Sequence, residues 1–269
     1  MLTADMILSM AENPESRIGI GANPNSKKVQ VSVAASNERG YGLTEIYTDP
    51  DQMVMDLLEG AIQAAVRGDM DSNDAMGAIR TGFGVNKVMR IAALEPRDGE
   101  LFFFGPVGID EGFDLEEKRD FVAFGVEMLE SMGIEPAVGI LSGGRMSDIG
   151  RNLVTDRTIR DAEELVSWGT RQGINIEHDE ILIEKAASSR NFILAPDGIS
   201  GNLIFRTLYF LGGGRALGAP VINIDRVFID TSRSKQDYID SIALASATSD
   251  RELTNPVPCN ANILLSCCG

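Results

Sequence analysis

The chain has 269 residues, of which 43% are hydrophobic and 24% are charged, a composition typical of a globular protein with one large domain or two smaller lobes. It carries 24 Lys and Arg against 40 Asp and Glu, a formal charge of −16, so general nucleic-acid binding is not expected. No run of about 18 apolar residues predicts a membrane span, and no basic segment resembles a secretory signal. We therefore expect a cytoplasmic protein with no membrane partner.

Two residue types that often carry catalysis are scarce. His178 is the only histidine, which excludes sites that need two imidazoles. Any Ser-His-Asp triad would have to use it, but it lies in a polar run and is predicted to be a solvated surface residue. Cys259, Cys267 and Cys268 match no metal-binding spacing. We interpret them as reduced thiols, with redox sensitivity or metal scavenging as the alternative.

Strands alternate with helices along the chain. Asp114 and Gly133 are typical of the cap and the left-handed stop of the best single helix. Such alternation predicts a mostly parallel sheet with helices on both faces, and ligands then bind at the carboxyl ends of the strands. In chain order we predict a strand at 17–21, a helix at 26–36, a strand at 43–47, a helix at 51–65, a helix start or turn at 74–81, a strand at 88–94, a helix at 114–132, a strand at 137–141, a helix at 158–171, a strand at 192–195, a helix at 201–211, strands at 221–224 and 227–229, and a helix at 234–245.

The turn after strand 137–141 reads Ser142-Gly143-Gly144-Arg145. The two glycines let several backbone N–H groups point to one spot, while the serine adds a hydroxyl and the arginine a positive charge. Such a nest can hold an oxyanion or a phosphate. A plain tight turn is the alternative interpretation.

The turn after strand 192–195 contains Asp197, Ser200, Gly201 and Asn202. Its simplest interpretation is capping: Ser200 or Asn202 satisfies N–H groups at the start of the next helix, and Asp197 stabilises the positive end of the helix dipole.

The turn after strand 227–229 brings Ser232, Arg233 and Asp237 within six residues. These side chains offer a hydroxyl, a bidentate anion clamp and a carboxylate, and the planar guanidinium suits phosphate oxygens. A polar, capped helix start is the alternative interpretation.

The order of these turns resembles the phosphate acetyl/butyryltransferase family. The segment at 133–142 resembles the family's G-x-x-P-x-V-A-x-L-S, and the segment at 196–206 resembles its P-D-x-x-x-G-N block. Thr231-Ser-Arg-Ser234 stands in the place of its L-S-R-G-x-S, and Asp71-Ser-Asn-Asp-Ala75 resembles its S-T-A-D. The matches run from about residue 71 to residue 245, and the whole chain looks most like the methanogen branch, methanogenesis marker protein 4.

The resemblance implies an α/β fold of two lobes, each with α/β/α layers and together like isocitrate/isopropylmalate dehydrogenase, with a mostly parallel sheet. Residues 1–105 and 222–269 would form the first lobe, and residues 106–221 would form an inserted second lobe. The active-site cleft would lie between the lobes, and the second lobe would form a homodimer.

The resemblance also implies roles for individual residues. Asp237 would deprotonate a thiol such as that of coenzyme A, Arg233 would clamp the phosphate, and Ser232 would stabilise the oxyanion. A small anionic substrate (phosphate, an acyl phosphate or coenzyme A) is the expected partner, and neither a tightly bound cofactor nor a metal is expected. Further substrate contacts are expected from Ser142, Gly143, Arg80, Gly201 and Asn202.

The chain departs from the family pattern close to these residues. Gly77 stands where the family has an arginine, and Arg80 follows one helical turn later. Ser234 replaces a glycine, and the segment before Asp237 is one residue short. Asp237 therefore matches the family's acid only approximately.

The sequence predicts a transferase that moves an acyl group between phosphate and a thiol carrier. The alternative is a methyltransferase component, or a non-catalytic ligand-binding partner, in methanogenesis. The residues themselves offer neither a G-x-G-x-G methionine-cofactor loop after the first strand nor a Cys or His set suited to a corrinoid. A dehydrogenase of the same fold is less favoured, because no paired Asp cluster is positioned for a divalent metal.

Overall fold

The computed structural model describes residues 2–11 and 13–249, so the three cysteines lie outside the described residues. The strands are β1 Arg17–Gly21, β2 Leu43–Tyr47, β3 Ala64–Val66, β4 Ala92–Glu95, β5 Phe102–Gly105, β6 Val138–Leu141, β7 Ile176–Glu180, β8 Phe192–Leu194, β9 Arg215–Pro220 and β10 Val227–Asp230. The α-helices are α1 Ala4–Ser9, α2 Lys27–Glu38, α3 Pro50–Leu58, α4 Ser72–Phe83, α5 Leu115–Ser131, α6 Leu153–Arg171, α7 Ile183–Ala186, α8 Gly198–Arg206 and α9 Ile239–Thr248.

The ten strands form one sheet in the order β2-β1-β3-β10-β9-β4-β5-β8-β6-β7. Strand β9 runs antiparallel to both of its neighbours, β10 and β4, and β4 is antiparallel to β5. The other pairings are parallel. The predicted α/β class with a mostly parallel sheet is confirmed, while the proposed lobe boundaries stay a prediction.

Helix caps account for several of the element boundaries. The Asp114 carboxylate accepts a hydrogen bond from the Glu117 N–H at 2.8 Å, and Gly133 has a φ of 68°, so α5 lies where the sequence predicts it. Helix α6 begins at Leu153, before its predicted start, because the Asn152 side chain accepts the Val154 N–H at 2.8 Å.

Several predicted elements are wrong in part, including the strand predicted at 88–94, which begins only at Ala92. The helix predicted at 51–65 ends at Leu58, and the chain then forms β3 between β1 and β10. With only three residues, all buried, this strand is too short to show the alternating hydrophobic pattern of a strand. The strand predicted at 221–224 lies instead at β9, just upstream. The helix predicted at 234–245 begins at Ile239, because the Lys235 N–H closes a turn onto the Ser232 carbonyl at 3.1 Å.

The core follows from the burial of the sheet on both faces. Phe102, Phe103 and Phe104 are successive residues of β5 and are all buried, as expected for a central strand between two helical layers. Among the residues that the structure describes, no helix is both long and apolar enough to cross a bilayer.

Candidate functional site

A cavity of about 190 Å³ lies at the carboxyl end of β10, beside β9, β4 and the second half of α8. This is the edge at which open α/β sheets bind ligands. Small residues of β9 line it. Gly218 has a φ of 150° and allows close packing against β10, since a Cβ at this position would lie 2.3 Å from Ile229. The lining residues are Arg67, Ser72, Arg90, Ala92, Val107, Asn202, Phe205, Arg206, Ala216, Gly218, Ala219, Asp230, Thr231, Ser232 and Lys235.

Two arginines share one carboxylate in the wall of the cavity. Asp230 ends β10, and its two oxygens accept hydrogen bonds from Nε of Arg67 and, at 2.9 Å, from Nη1 of Arg90. The Arg67 side chain is only 6% exposed and also donates to the Met70 carbonyl at 2.7 Å. Burial alone would raise the pKa of Asp230, but the two guanidinium groups hold it below its ordinary value. The carboxylate is therefore ionised at neutral pH.

A second carboxylate supports Arg90 from behind. Glu111 accepts the Arg90 Nε–H at 2.7 Å and the backbone N–H of Gly108 at 3.1 Å. Burial raises the pKa of Glu111 and outweighs the opposing effect of Arg90. The contacts on both sides fix the guanidinium of Arg90 in a single orientation.

Positive groups outnumber negative ones in the wall. Arg67, Arg90 and Arg206 line the cavity, whereas Asp230 is its one lining carboxylate among the described residues. The protein as a whole is strongly acidic, so this local excess of cations distinguishes the cavity from the rest of the surface. A small anion is the ligand that such a wall attracts.

Hydroxyl groups lie beside these cations. The Thr231 hydroxyl donates to the Gly68 carbonyl at 2.7 Å, which joins the turn after β10 to the turn after β3. Ser232 follows in the cavity wall, and its hydroxyl accepts the Ser234 N–H at 3.2 Å, so its own O–H is left to donate. Ser72, the first residue of α4, adds a third hydroxyl to the wall.

The other residues of the predicted catalytic turn lie outside this lining. Arg233 is 57% exposed and forms an ion pair with Asp71 at 3.2 Å. Asp237 is exposed, and its carboxylate accepts the Ile239 N–H at 3.1 Å near the start of α9. Arg80 is exposed in the last turn of α4. The structure thus brings Ser232 to the cavity but not these three, and their roles stay predictions.

The turn before α8 is a capped helix start, and only later residues of the helix line the cavity. Asp197 accepts the Ser200 N–H at 2.8 Å, so the helix start is capped by Asp197 and not, as predicted, by the Ser200 or Asn202 side chain. Gly201 contacts the backbone so closely that a Cβ would lie 1.9 Å from the Pro106 carbonyl oxygen. Asn202 lines the cavity, and its amide donates to the Val107 carbonyl at 2.8 Å.

The Ser142 turn lies elsewhere on the sheet. Strand β6, which precedes it, is five positions from β10 in the strand order, about 24 Å along the sheet. Gly143 lines a different cavity, beside the start of α6, and its N–H donates to the Thr158 hydroxyl at 2.8 Å. The structure does not bring Ser142 and Gly143 together with Ser232, and their substrate contacts stay a prediction.

The prediction that His178 is a solvated surface residue is wrong. Its side chain is only 7% exposed, because it lies on β7, a strand that the polar sequence did not reveal. Nε2 is 2.8 Å from the Ser142 hydroxyl, and Nδ1 is 2.7 Å from a carboxylate oxygen of Glu163 on α6. Ser142 is itself buried and also donates to the Gly144 carbonyl, so this chain of contacts holds the loop in place.

Sequence reasoning missed the buried charges of the site. Asp230 directly follows a predicted strand, and the rule that ligands bind at strand ends could have identified it. Arg67 follows β3, which was hidden inside a predicted helix. Arg90 fell within a predicted strand, and Lys235 fell within a predicted helix, so neither was assigned to a turn.

Comparisons with known proteins agree on the relatives and on the fold, although no protein-family model matches the chain. It is 47% identical over 212 residues to the Methanosarcina mazei protein named "Putative methyltransferase mtx subunit X", covering 78% of this chain and 76% of the relative. The protein of that name from Methanosarcina barkeri is 42% identical over 253 residues, covering 87% and 93%. A phosphotransacetylase structure from Streptococcus pyogenes superposes with a TM-score of 0.70 at 15% identity, covering 91% of this chain and 97% of its own.

Proposed function

Since this chain belongs to the mtx subunit X family and has the phosphotransacetylase fold, we propose that it transfers an acyl group between phosphate and a thiol carrier such as coenzyme A. The observation that carries the proposal is the convergence of Arg67, Arg90 and Ser232 on one cavity at a strand end. The proposal includes a cytoplasmic homodimer without a tightly bound cofactor.

The cations in the wall fit a phosphate group. Arg67 uses two of its five N–H donors on Asp230 and Met70, which leaves donors for a ligand within the described part of the chain. Arg90 is fixed by Asp230 and Glu111, so it presents its charge without a large entropy cost on binding. An acyl phosphate would have its phosphoryl oxygens beside these groups.

Ser232 fits the carbonyl end of the same substrate. Attack by a thiolate on the acyl carbon creates a negative oxygen, and a hydroxyl donor near that oxygen stabilises the transition state by about 3–4 kcal/mol. The phosphate then leaves toward the arginines. For Asp237 to deprotonate the thiol, its carboxylate would have to turn into the cavity from its hydrogen bond with Ile239.

The test is an assay of thioester formation from acetyl phosphate and coenzyme A, with short-chain acyl phosphates as further substrates. Ser232→Ala should lower the rate by about 10²–10³-fold, whereas the neighbouring exposed Ser234→Ala should change it little. Turnover absent with every acyl phosphate and thiol tested would contradict acyl transfer.

The names of the relatives favour a second candidate, a methyltransferase component or a non-catalytic ligand-binding subunit. Calorimetry with coenzyme A and with inorganic phosphate separates the two. Binding that depends on Arg67 but comes without turnover would support a ligand-binding subunit, while turnover would support the transferase.

A further inference from the structure

Lys235 is a buried amine in the wall of the cavity that the mechanism above does not use. It lies in the turn between β10 and α9, two residues after Arg233. Its Nζ donates to the Ala216 carbonyl at 2.6 Å and to the Ser241 hydroxyl at 3.0 Å. The Ser241 hydroxyl in turn donates to the Leu217 carbonyl, so it can only accept from the lysine.

These contacts match the neutral form of the amine. A neutral amine has two N–H donors and one lone pair, and the two acceptors on β9 and α9 take both donors. An ammonium group would have a third N–H to satisfy, and among the described residues no carboxylate lies within ion-pair distance, 4.0 Å, of Nζ. In the neutral amine these two contacts leave the lone pair of Nζ open, and the Lys235 side chain lines the cavity.

The surroundings also bring the pKa of Lys235 closer to neutral pH. Burial is the largest influence and lowers the pKa of Lys235 to about 8, with a smaller contribution in the same direction from Arg215. Asp240 and Asp237 act in the opposite direction, but they do not cancel the effect of burial. A thiol has an ordinary pKa of about 8.5, so proton transfer between the two groups is nearly balanced at neutral pH.

We propose that Lys235 is the base that accepts the proton of the thiol carrier, an inference that rests on the proposed acyl transfer. The S–H bond breaks, and its proton joins the lone pair of Nζ to give an ammonium group. The thiolate then forms a bond to the acyl carbon, and the bond from that carbon to the phosphate oxygen breaks. The phosphate leaves with the electron pair, and the ammonium group returns its proton to solvent.

The ionisation of Lys235 can be measured on the unmodified protein, without any assumption about turnover. Competitive labelling with acetic anhydride over a range of pH, read by mass spectrometry of the peptides, gives the reactivity of each lysine. Lys235 should reach half of its maximal reactivity near pH 8, and the exposed Lys27 near its ordinary pKa of about 10.4. Equal profiles for the two lysines would overturn the inference, whatever the activity.

The role of the base is tested with two kinds of thiol. Lys235→Met keeps the side-chain volume, and we expect it to slow transfer to coenzyme A by about 10²–10⁴-fold. Transfer to thiophenol, which is largely ionised at neutral pH, should fall far less, because it needs no base. Lys27→Met, at an exposed lysine outside the cavity lining, should leave both rates near wild type, and circular dichroism should show that each variant is folded.

The outcomes distinguish this inference from the proposed function. If the wild type shows no turnover with either thiol, acyl transfer fails and the base role fails with it. If the wild type is active and Asp237→Asn, rather than Lys235→Met, selectively loses the coenzyme A reaction, acyl transfer stands and Lys235 is not the base. An equal loss with both thiols in Lys235→Met would also overturn the base role.

Discussion

The guanidinium of Arg90 lies 2.9 Å from the carboxylate of Asp230, although 140 residues separate them in the chain. Asp230 ends β10, and Arg90 lies in the segment just before β4. In the sheet, β9 lies between these two strands. Asp230 also binds Arg67. One acidic side chain therefore fixes the two cations that we propose hold the phosphate.

Asp230→Asn should destabilise the fold strongly. The substitution leaves two buried guanidinium groups without their shared counter-charge, and breaking a buried ion pair from one side costs about 3–5 kcal/mol. Urea denaturation measures the change in the free energy of unfolding. Asp225→Asn is a suitable control, because its ion pair with Arg226 is partly exposed and long, 3.5 Å, and should contribute less than about 1 kcal/mol. Equal effects of the two substitutions would contradict this account.

The same carboxylate should make stability depend on acid pH. The pKa of Asp230 is lower in the folded state than the unfolded value of about 3.9. Its contribution is therefore complete above the unfolded pKa and is lost as the pH falls through the folded pKa. Unfolding free energies measured from about pH 7 to about pH 3 should fall more steeply for the wild type than for Asp230→Asn. Parallel curves would show that Asp230 does not carry this dependence.

Two glycines should respond in opposite ways to replacement by alanine. A Cβ at Gly201 would lie 1.9 Å from a backbone oxygen, so Gly201→Ala should cost about 1–3 kcal/mol or more as α8 is displaced. Gly77 lies inside α4, and apart from the helix's own backbone no atom lies within 4 Å of the added Cβ. Gly77→Ala should therefore raise the free energy of unfolding by about 0.5–1 kcal/mol. Thermal unfolding of both variants checks the pair, and a stable Gly201→Ala protein would show that the start of α8 can move.

Phosphate binding should depend on one serine and not on the other. Ser232 lines the cavity with the arginines, whereas Ser142 is buried beside His178 five strand positions away. We expect Ser232→Ala to weaken the binding of inorganic phosphate by about tenfold or more, because a hydrogen bond to a charged group contributes about 1.5–3 kcal/mol. Ser142→Ala should leave the binding unchanged within about twofold. Calorimetry measures both, and a larger loss in Ser142→Ala would restore the predicted role of that turn.

Much of the fold could be predicted because its helices carry local signals. Asp114 and Gly133 mark the ends of α5 through interactions within one or two turns, and these are visible in the sequence. Strand β3 carries no such signal, since its three residues become a strand only through pairing with β1 and β10. Strand β7 was missed for a different reason: it lies at the edge of the sheet, and four of its five residues are polar in succession.

The site was harder to predict than the fold. Ser232 and Asn202 were assigned from turn position and family resemblance, and both lie in the cavity wall. Arg67, Arg90 and Asp230 derive their importance from contacts across more than 130 residues of sequence, which no local pattern encodes. His178 illustrates the same point, because its polar neighbours suggested exposure and its partners on other elements produce burial.

The sharing of Asp230 by two arginines has a consequence for how this family can diverge. Loss of Asp230 removes the counter-charge that both arginines share, and loss of either arginine leaves the carboxylate with one partner instead of two, so single replacements at these positions are selected against together. Among relatives, we expect residues 67, 90 and 230 to covary. Relatives with uncharged residues at all three positions should be those that no longer bind the anion.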